Sequence, residues 1–453
     1  MRVSISERVS MCEPNTPEPS SFQKLCTFVL INLSLFVSYA LYTLPGAFLP
    51  IYNMDRGIGA ASTGIILACV PLCYIIVCPI AGKLLDKYSA KTMLLISTGM
   101  LAVVTFLSAA LGHVTSNTWF ICLIVLLRLI QGANGGVIDV IAFAITAKIY
   151  PNNIALTTSI IETSLNLAVA FSPFLGGVFY EAGGFYLSFV VTACAVTVVL
   201  IGTFFGVTNV DTTKDEDGGN LFSVLKEVTV WFPAWHSAAC MILFNFYIPI
   251  LSPYVQETFN AGPTFAGFAL LINTAGICIT APVLGHLMDK LNPYVFMAAS
   301  AFLLPVSYWF LGPAPFMAGV LTASKTQLLV ALGVIGVLVP LGCYPGLLIM
   351  FDIYTVKFGK MPQAVKNYIT SIYCASFPLG GCIGSAMSGV IAERLSFGLS
   401  TTYISFAFLV QTVLVIWWCI VVWRVKREAK RAKLSFSESN PLIDNGEVRN
   451  YGN

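Results

Sequence analysis

The sequence predicts an all-α membrane protein: twelve transmembrane helices in two six-helix bundles, with both termini cytosolic. Three observations predict this. Of 453 residues, 57% are hydrophobic and 10% charged, far below the quarter of charged residues typical of soluble domains. The apolar residues come in runs of about twenty or more, the length that spans a bilayer core. One phrase is also written twice: CPIAGKLLDK, from Cys78, returns as APVLGHLMDK, from Ala281, a little under half the chain later.

The crossings follow in order. Residues 1–24 mix Arg2, Arg8 and Lys24 with Glu7, Glu13 and Glu18 and hold three prolines, so they read as a disordered cytosolic segment, not a leader peptide. The first apolar run, 25–51, is too long for a signal core and is expected to stay as a helix. Further runs cover 62–81, 92–113, 118–146, 155–180 and 184–207, completing the first bundle at 25–207. The polar stretch 208–230, with DTTKDEDGGN, cannot bury apolar area and reads as a cytosolic linker. The second bundle, 231–423, repeats the pattern at 231–256, 264–285, 293–313, 326–350, 367–391 and 399–423, before a basic cytosolic tail, 424–453.

Lysine and arginine set the orientation. With both termini placed inside, all but four of the 24 fall on the cytosolic side. Arg56, Lys325 and Arg394 lie outside, and Arg128 lies within an apolar run. So strong a bias fixes the topology. Both copies of the repeated phrase then sit on the cytosolic side, between the second and third helix of their own half. Halves with the same polarity are parallel repeats about an axis along the membrane normal.

Particular motifs carry chemistry. Gly82, Asp86, Lys87 and Lys91, with Gly285, Asp289 and Lys290 in the second copy, occupy the repeated loop. There glycine permits close helix approach, the carboxylate can meet a helix N-terminus, and the lysines offer exchangeable charge partners. RLIQGANGG, from Arg128 to Gly136, puts an arginine about 15 Å in from the outer edge, near the bilayer midplane, where charge is costly and usually functional. Gln131 stands one turn on, as a partner for it. SPFLGG, Ser172 to Gly177, gives the fifth helix Pro173, Gly176 and Gly177, a kinked and closely packed segment suited to a moving interface.

These phrases resemble the major facilitator superfamily. Its helix 2–3 loop reads G-x-L-x-D-R/K-x-G-R/K-R/K, with Ser89 here in place of a glycine. Its R-x-x-Q-G-x-G pattern is matched with Asn134 substituted, and its antiporter signature G-P-x-x-G-G with Ser172 substituted. KIYPNN, SIIETSLNLA, LFNFYIPILSPYVQETFN, LGPAP and TASKTQLLV are further similar to the vesicular amine transporters, most of all their polyamine branch. That resemblance implies proton-driven loading of an organic cation into acidic vesicles.

A site for a cation needs carboxylates, because charge entering hydrocarbon has to be compensated. The spans offer two. Asp139 lies about 16 Å from Arg128 toward the cytosol, and Glu162 about 12 Å into the fifth helix. On antiparallel neighbours at matching depth, the pair can share a proton; alternatively each is hydrated or meets Lys148. Relatives carry further acids in the seventh helix and beside the tenth-helix proline, where this chain has Tyr247-Ile248-Pro249 and Gly346. With Arg128 then the one midplane charge, the residues favour a neutral or anionic solute while the resemblance favours a cation.

The tail adds an address. WRVKREAKRAK places six basic residues beyond the last span, as a stop-transfer anchor or an anionic-lipid contact. ESNPLI fits an acidic dileucine signal, Glu438 preceding Leu442 and Ile443, to be read by a sorting adaptor. It points to vesicle or endolysosomal membranes.

The cysteines lie mostly in apolar runs as small hydrophobes, and no metal spacing, nucleophile–base pair or phosphate loop is visible. The expectation is therefore a transporter without metal or cofactor, not an enzyme and not a nucleic-acid binder. Its partners are protons, a small organic solute and the bilayer. The alternatives are a plasma-membrane exporter of drugs or organic anions, or a non-transporting membrane sensor.

Overall fold

A chain immersed in hydrocarbon has to satisfy its backbone internally, and this one does so with helices. The structure, a computed structural model, describes residues 20–85, 87–208, 228–288, 291–317, 321–358 and 363–439. In the first half the helices are α1 (Ser21–Thr43), α2 (Leu49–Asp55), α3 (Ala60–Leu85), α4 (Ala90–Ala110), α5 (Asn117–Ile149) and α6 (Ile154–Gly206). In the second they are α7 (Val228–Phe246), α8 (Ile248–Phe259), α9 (Pro263–Met288), α10 (Pro293–Leu311), α11 (Lys325–Phe358), α12 (Gln363–Ala392) and α13 (Phe397–Ser439).

Among the described residues, eleven helical stretches are long and apolar enough to cross a membrane. One of them, Leu156–Gly206, has 51 residues, about 76 Å of helix and more than twice the hydrocarbon thickness. It folds back at Gly183 and at Gly184, whose φ of 69° and ψ of −167° suit glycine alone. Gly176 lies against Leu44 at one end of α1, while Thr203 and Thr208 meet Ser34 and Thr27 near the other. The two arms of α6 are thus antiparallel crossings, and the crossings among the described residues number twelve.

Boundaries differ from the sequence reading where local chemistry intervenes. α1 begins at Ser21, inside the segment expected to be unstructured, because Ser20 and Gln23 form a reciprocal capping box. The first crossing is two helices, α1 and α2, around a 3₁₀ turn at Leu44–Gly46, and the seventh is α7 and α8 around Tyr247. α13 continues to Ser439, past the expected edge at 423. The linker from 209 to 227, Asp86, Asp289, Lys290, Leu442 and Ile443 lie outside the described residues; Glu438 falls on the last turn of α13.

Each half closes its own core. Ile31, Leu35, Leu94, Leu101, Ile138 and Ile141 pack together in the first, and Phe246, Leu270, Tyr308, Leu332 and Ile335 in the second. Glycines set the closest approaches inside a half: a Cβ on Gly132 would lie 2.6 Å from the Val70 carbonyl oxygen of α3. The described cysteines are all free thiols.

Between halves, α3 packs on α12 and the first arm of α6 on α9. These contacts involve residues 59–71 with 381–393 and residues 173–181 with 262–268. They lie at the face remote from the start of α1, termed the distal face; the opposite one is the terminal face. Toward the terminal face the halves part. A Cβ on Gly82 or Gly285 would meet nothing within 4 Å, and Ile76, Ile80, Ile279 and Val283 are exposed. With the terminal face open, these two loop-motif glycines are not at a close helix approach. Accordingly, G132A is expected to lower the thermal midpoint of the purified protein, by overpacking worth about 1–3 kcal/mol. G82A is expected to leave it unchanged or slightly raised, alanine being the better helix former.

Candidate functional site

The site grows from the break in the first crossing. In a continuous helix the Leu41 carbonyl would accept from the amide four residues on, but that residue is Pro45, which has none. Arg128, 1% exposed on α5, fills the gap. Its Nη1 donates to Leu41 O at 2.9 Å and to Gln131 Oε1 at 3.1 Å, and its Nη2 to Tyr42 O at 3.4 Å. Gln131 in turn donates from Nε2 to Ser108 Oγ at 3.5 Å. The midplane arginine is therefore directed at backbone, not at open space. Asn134, at the substituted motif position, donates to its own helix at Ile130 O, 2.8 Å away.

The second half breaks its seventh crossing at the corresponding place and repairs it with a neutral group. α7 ends at Phe246, and the Tyr308 hydroxyl of α10 donates to the Leu243 carbonyl, whose helical partner would have been Tyr247. Across the distal face, Ser252 of α8 donates to Ala47 O, tying the two broken helices together. Pro173, Gly176 and Gly177 lie alongside this junction. Gly176 faces the Leu44 carbonyl, a Cβ there lying 2.6 Å away, and Gly177 faces Pro263 of α9.

Below the breaks, toward the terminal face, lie the two acids. Asp139 is half-buried on α5 and Glu162 exposed on α6. Each stands about 9 Å from the midpoint of its crossing at 1.5 Å per residue. Tyr39 of α1 extends its hydroxyl to Asp139 Oδ1 at 3.5 Å, and its ring meets Tyr74 of α3 edge-on at 6.0 Å. Asp139 and Glu162 interact electrostatically with each other. Glu162 is also within electrostatic reach of Tyr344 on α11 and of Tyr373 and Cys374 on α12. The exposed carboxylate therefore lies on the side of α6 nearer to α11 and α12. Among the described residues, no ion pair joins Lys148 to either acid.

The structure thus brings Asp139 and Glu162 together and holds Arg128 and Gln131 apart from them in the helix break. Sequence reasoning missed Tyr39, Tyr74, Tyr344 and Tyr373. Their signal was present, as tyrosines within spans that carry few other polar groups, but nothing in the sequence showed that they gather near the two acids. Of the repeated loop, Gly82, Lys87 and Gly285 are exposed and Lys91 half-buried at the terminal face.

Comparisons with known proteins agree with this fold. The family model described as Major Facilitator Superfamily matches residues 31–358 and 237–451. The chain is 24% identical over 376 residues to the human MFS-type transporter SLC18B1, covering 82% of this chain and 81% of that protein. It is 25% identical over 318 residues to the multidrug resistance protein MdtG of Proteus mirabilis, covering 65% and 77%. Among solved structures, the nucleoside transporter NupG superposes with a TM-score of 0.67 at 14% identity, covering 88% of this chain and 99% of that one. A bacterial homologue of the human lysosomal transporter Spinster, inward-facing and occupied, superposes with a TM-score of 0.66 at 12% identity, covering 91% and 98%.

The helix-break geometry makes a prediction. R128K keeps the charge but loses the planar fork, so one ammonium cannot reach Leu41, Tyr42 and Gln131 together. Each carbonyl left unpaired costs about 1–3 kcal/mol. A clearly lower thermal midpoint is expected for R128K in detergent, with little further loss in R128M.

Proposed function

Because the chain belongs to the Major Facilitator Superfamily, we propose that it exchanges protons for a small organic cation, an amine or polyamine, by alternating access. One observation supports the cation reading: Asp139 and Glu162 lie on neighbouring helices, with Tyr39 on Asp139 and Tyr344 and Tyr373 in electrostatic reach of Glu162. Among the described residues, neither acid forms an ion pair with a lysine or arginine. Two carboxylates demand compensation, and aromatic faces supply additional attraction for an ammonium group. Arg128, with its charge committed to backbone carbonyls, does not oppose a cation there. This removes the objection that the midplane favours an anion.

The coupling follows from charge balance. With the terminal face open, the acids exchange protons and solute with the compartment on that side. We place this face in the cytosol, on the strength of the lysine and arginine bias. Either protons or the cation neutralises the pair before the site turns to the distal side, so inward protons drive the cation outward, into an acidic lumen. Asp86, Lys87, Lys91, Asp289 and Lys290 take the role of terminal-face partners when that side closes. Glu438, Leu442 and Ile443 route the protein to vesicle or endolysosomal membranes through an adaptor.

A second reading keeps the fold and changes the cargo. A tyrosine wall accepts bulky apolar cations as readily as polyamines, and MdtG is named for multidrug resistance. Competition between spermidine and a lipophilic cation separates the two.

In proteoliposomes with an acidic interior, labelled spermidine or a monoamine is expected to accumulate, and dissipating the pH gradient to abolish the accumulation. E162Q and D139N are each expected to raise the half-saturating concentration about ten-fold, equivalent to about 1.4 kcal/mol of lost attraction. Unchanged, gradient-driven uptake in both variants would refute the cation site. Separately, L442A/I443A in a fluorescently tagged protein is expected to move it from vesicles to the plasma membrane; retention on vesicles counts against the sorting signal.

A further inference from the structure

The contacts that close the distal face are duplicated in sequence and in space. Where α3 crosses α12, Gly64 lies against the backbone of Ser385 and Gly389, and Gly389 against that of Ala60 and Ala61. Where α6 crosses α9, Gly177 lies against Pro263 and Thr264, and Gly267 against Pro173 and Phe174. A Cβ at any of the four would strike the backbone of the opposite half. The pattern is a repeat: Gly59 and Gly64 return as Gly262 and Gly267, and GVFYE, ending at Glu181, returns as GVIAE, ending at Glu393.

An acid stands beside each crossing. Glu393, just past α12, accepts from the Ala61 amide at 3.2 Å, and Glu181 on α6 accepts from the Thr264 amide at 3.0 Å. Both amides belong to the first turn of a helix, where no intrahelical carbonyl is available and the helix dipole favours negative charge. The acid and the helix it caps come from opposite halves in both cases. Such a cap differs from one within a bundle: it exists only while the distal face is shut, and returns to water when the halves part. Its free energy therefore enters the equilibrium between the two access states and not the stability of either bundle.

We propose that Glu181 and Glu393 form a reciprocal latch, each half's carboxylate capping the other half's helix and holding the distal face closed. The proposal rests on alternating access and is independent of the solute. The pairing is two-fold, so neither half can swing away without breaking both caps.

Hydrogen–deuterium exchange on the purified full-length protein in lipid nanodiscs tests this without any solute. E181A and E393A are each expected to shift the population toward the distal-open state about five-fold, the worth of one helix-capping interaction. The double variant should shift it about 25-fold, the caps being distant and independent. The signature is a pair of opposite changes. Exchange rises at 57–66, 177–181, 262–268 and 385–393, and falls along 76–85 and 277–287, where the terminal face closes. G267A, which wedges a Cβ against the α6 backbone, is expected to give the same pattern and serves as the positive control. If the double acid variant raises exchange only in the first turns of α3 and α9, with the terminal face unchanged, the acids are local caps and the latch is refuted. It is equally refuted if G267A shifts both faces and the acid variants shift neither.

Discussion

The structure depends on how a broken helix is tolerated inside hydrocarbon. A carbonyl deprived of its amide has no water to turn to, and each such group costs several kcal/mol at that depth. Pro45 creates this condition at Leu41, in the middle of the first crossing, and a whole guanidinium is brought in to relieve it. Burying Arg128 is itself costly, yet three hydrogen bonds to fixed acceptors recover much of that, and only its Nε lacks a partner. With the break stabilised, α2 can depart from the axis of α1 and reach α8 of the other half. The junction with α8 at the distal face is therefore a consequence of a proline and the arginine that repairs it.

The two halves solve the same problem with different chemistry, and the difference sets the electrostatics of the cavity. In the second half a tyrosine hydroxyl, neutral and anchored on α10, serves the orphan carbonyl at Leu243. In its apolar interior the first half carries Arg128, locked away in the break, and the acids Asp139 and Glu162 toward the terminal face. The second half brings Tyr344, Tyr373 and Cys374 within electrostatic reach of Glu162. Sequence duplication built the frame, and divergence of individual residues made it polar in one sense. A site assembled at the seam of the two bodies is also the place most altered by their relative rotation.

Much of this was legible before any coordinates. Run length gave the crossings, the glycine-marked break before residue 184 separated the fifth from the sixth, and the Pro–Gly–Asp–Lys phrase gave the internal repeat. Asp139 and Glu162 were found because acids in apolar runs are rare. Arg128 was found for the same reason, but its orientation was not readable: rarity flags a residue without saying whether it faces a cavity or a carbonyl. What decides is Pro45, more than eighty residues away in the chain, and no local pattern connects the two. The tyrosines escaped because their hydroxyls are meaningful only as a set drawn from four helices. The glycine–glutamate repeat at Glu181 and Glu393 was present in the letters, but its significance lies in partners that belong to opposite halves.

On the proposed reading, the acid pair would also let such a molecule exchange without leaking. Closing an aqueous mouth over two carboxylates removes them from water, which costs several kcal/mol for each charge left uncompensated. An empty, fully ionised site is thus the species least able to pass through the occluded geometry. Compensated by a diamine or by protons, the pair loses that penalty, and the halves can rock from one face to the other. The forbidden transit is the one that would let cation run back down its gradient without a proton moving the other way. Coupling of this kind needs no dedicated wire between a proton site and a solute site. It needs only that both compete for the same two oxygen-bearing groups, in a cavity where the protein's own midplane cation is already spent on holding its backbone together.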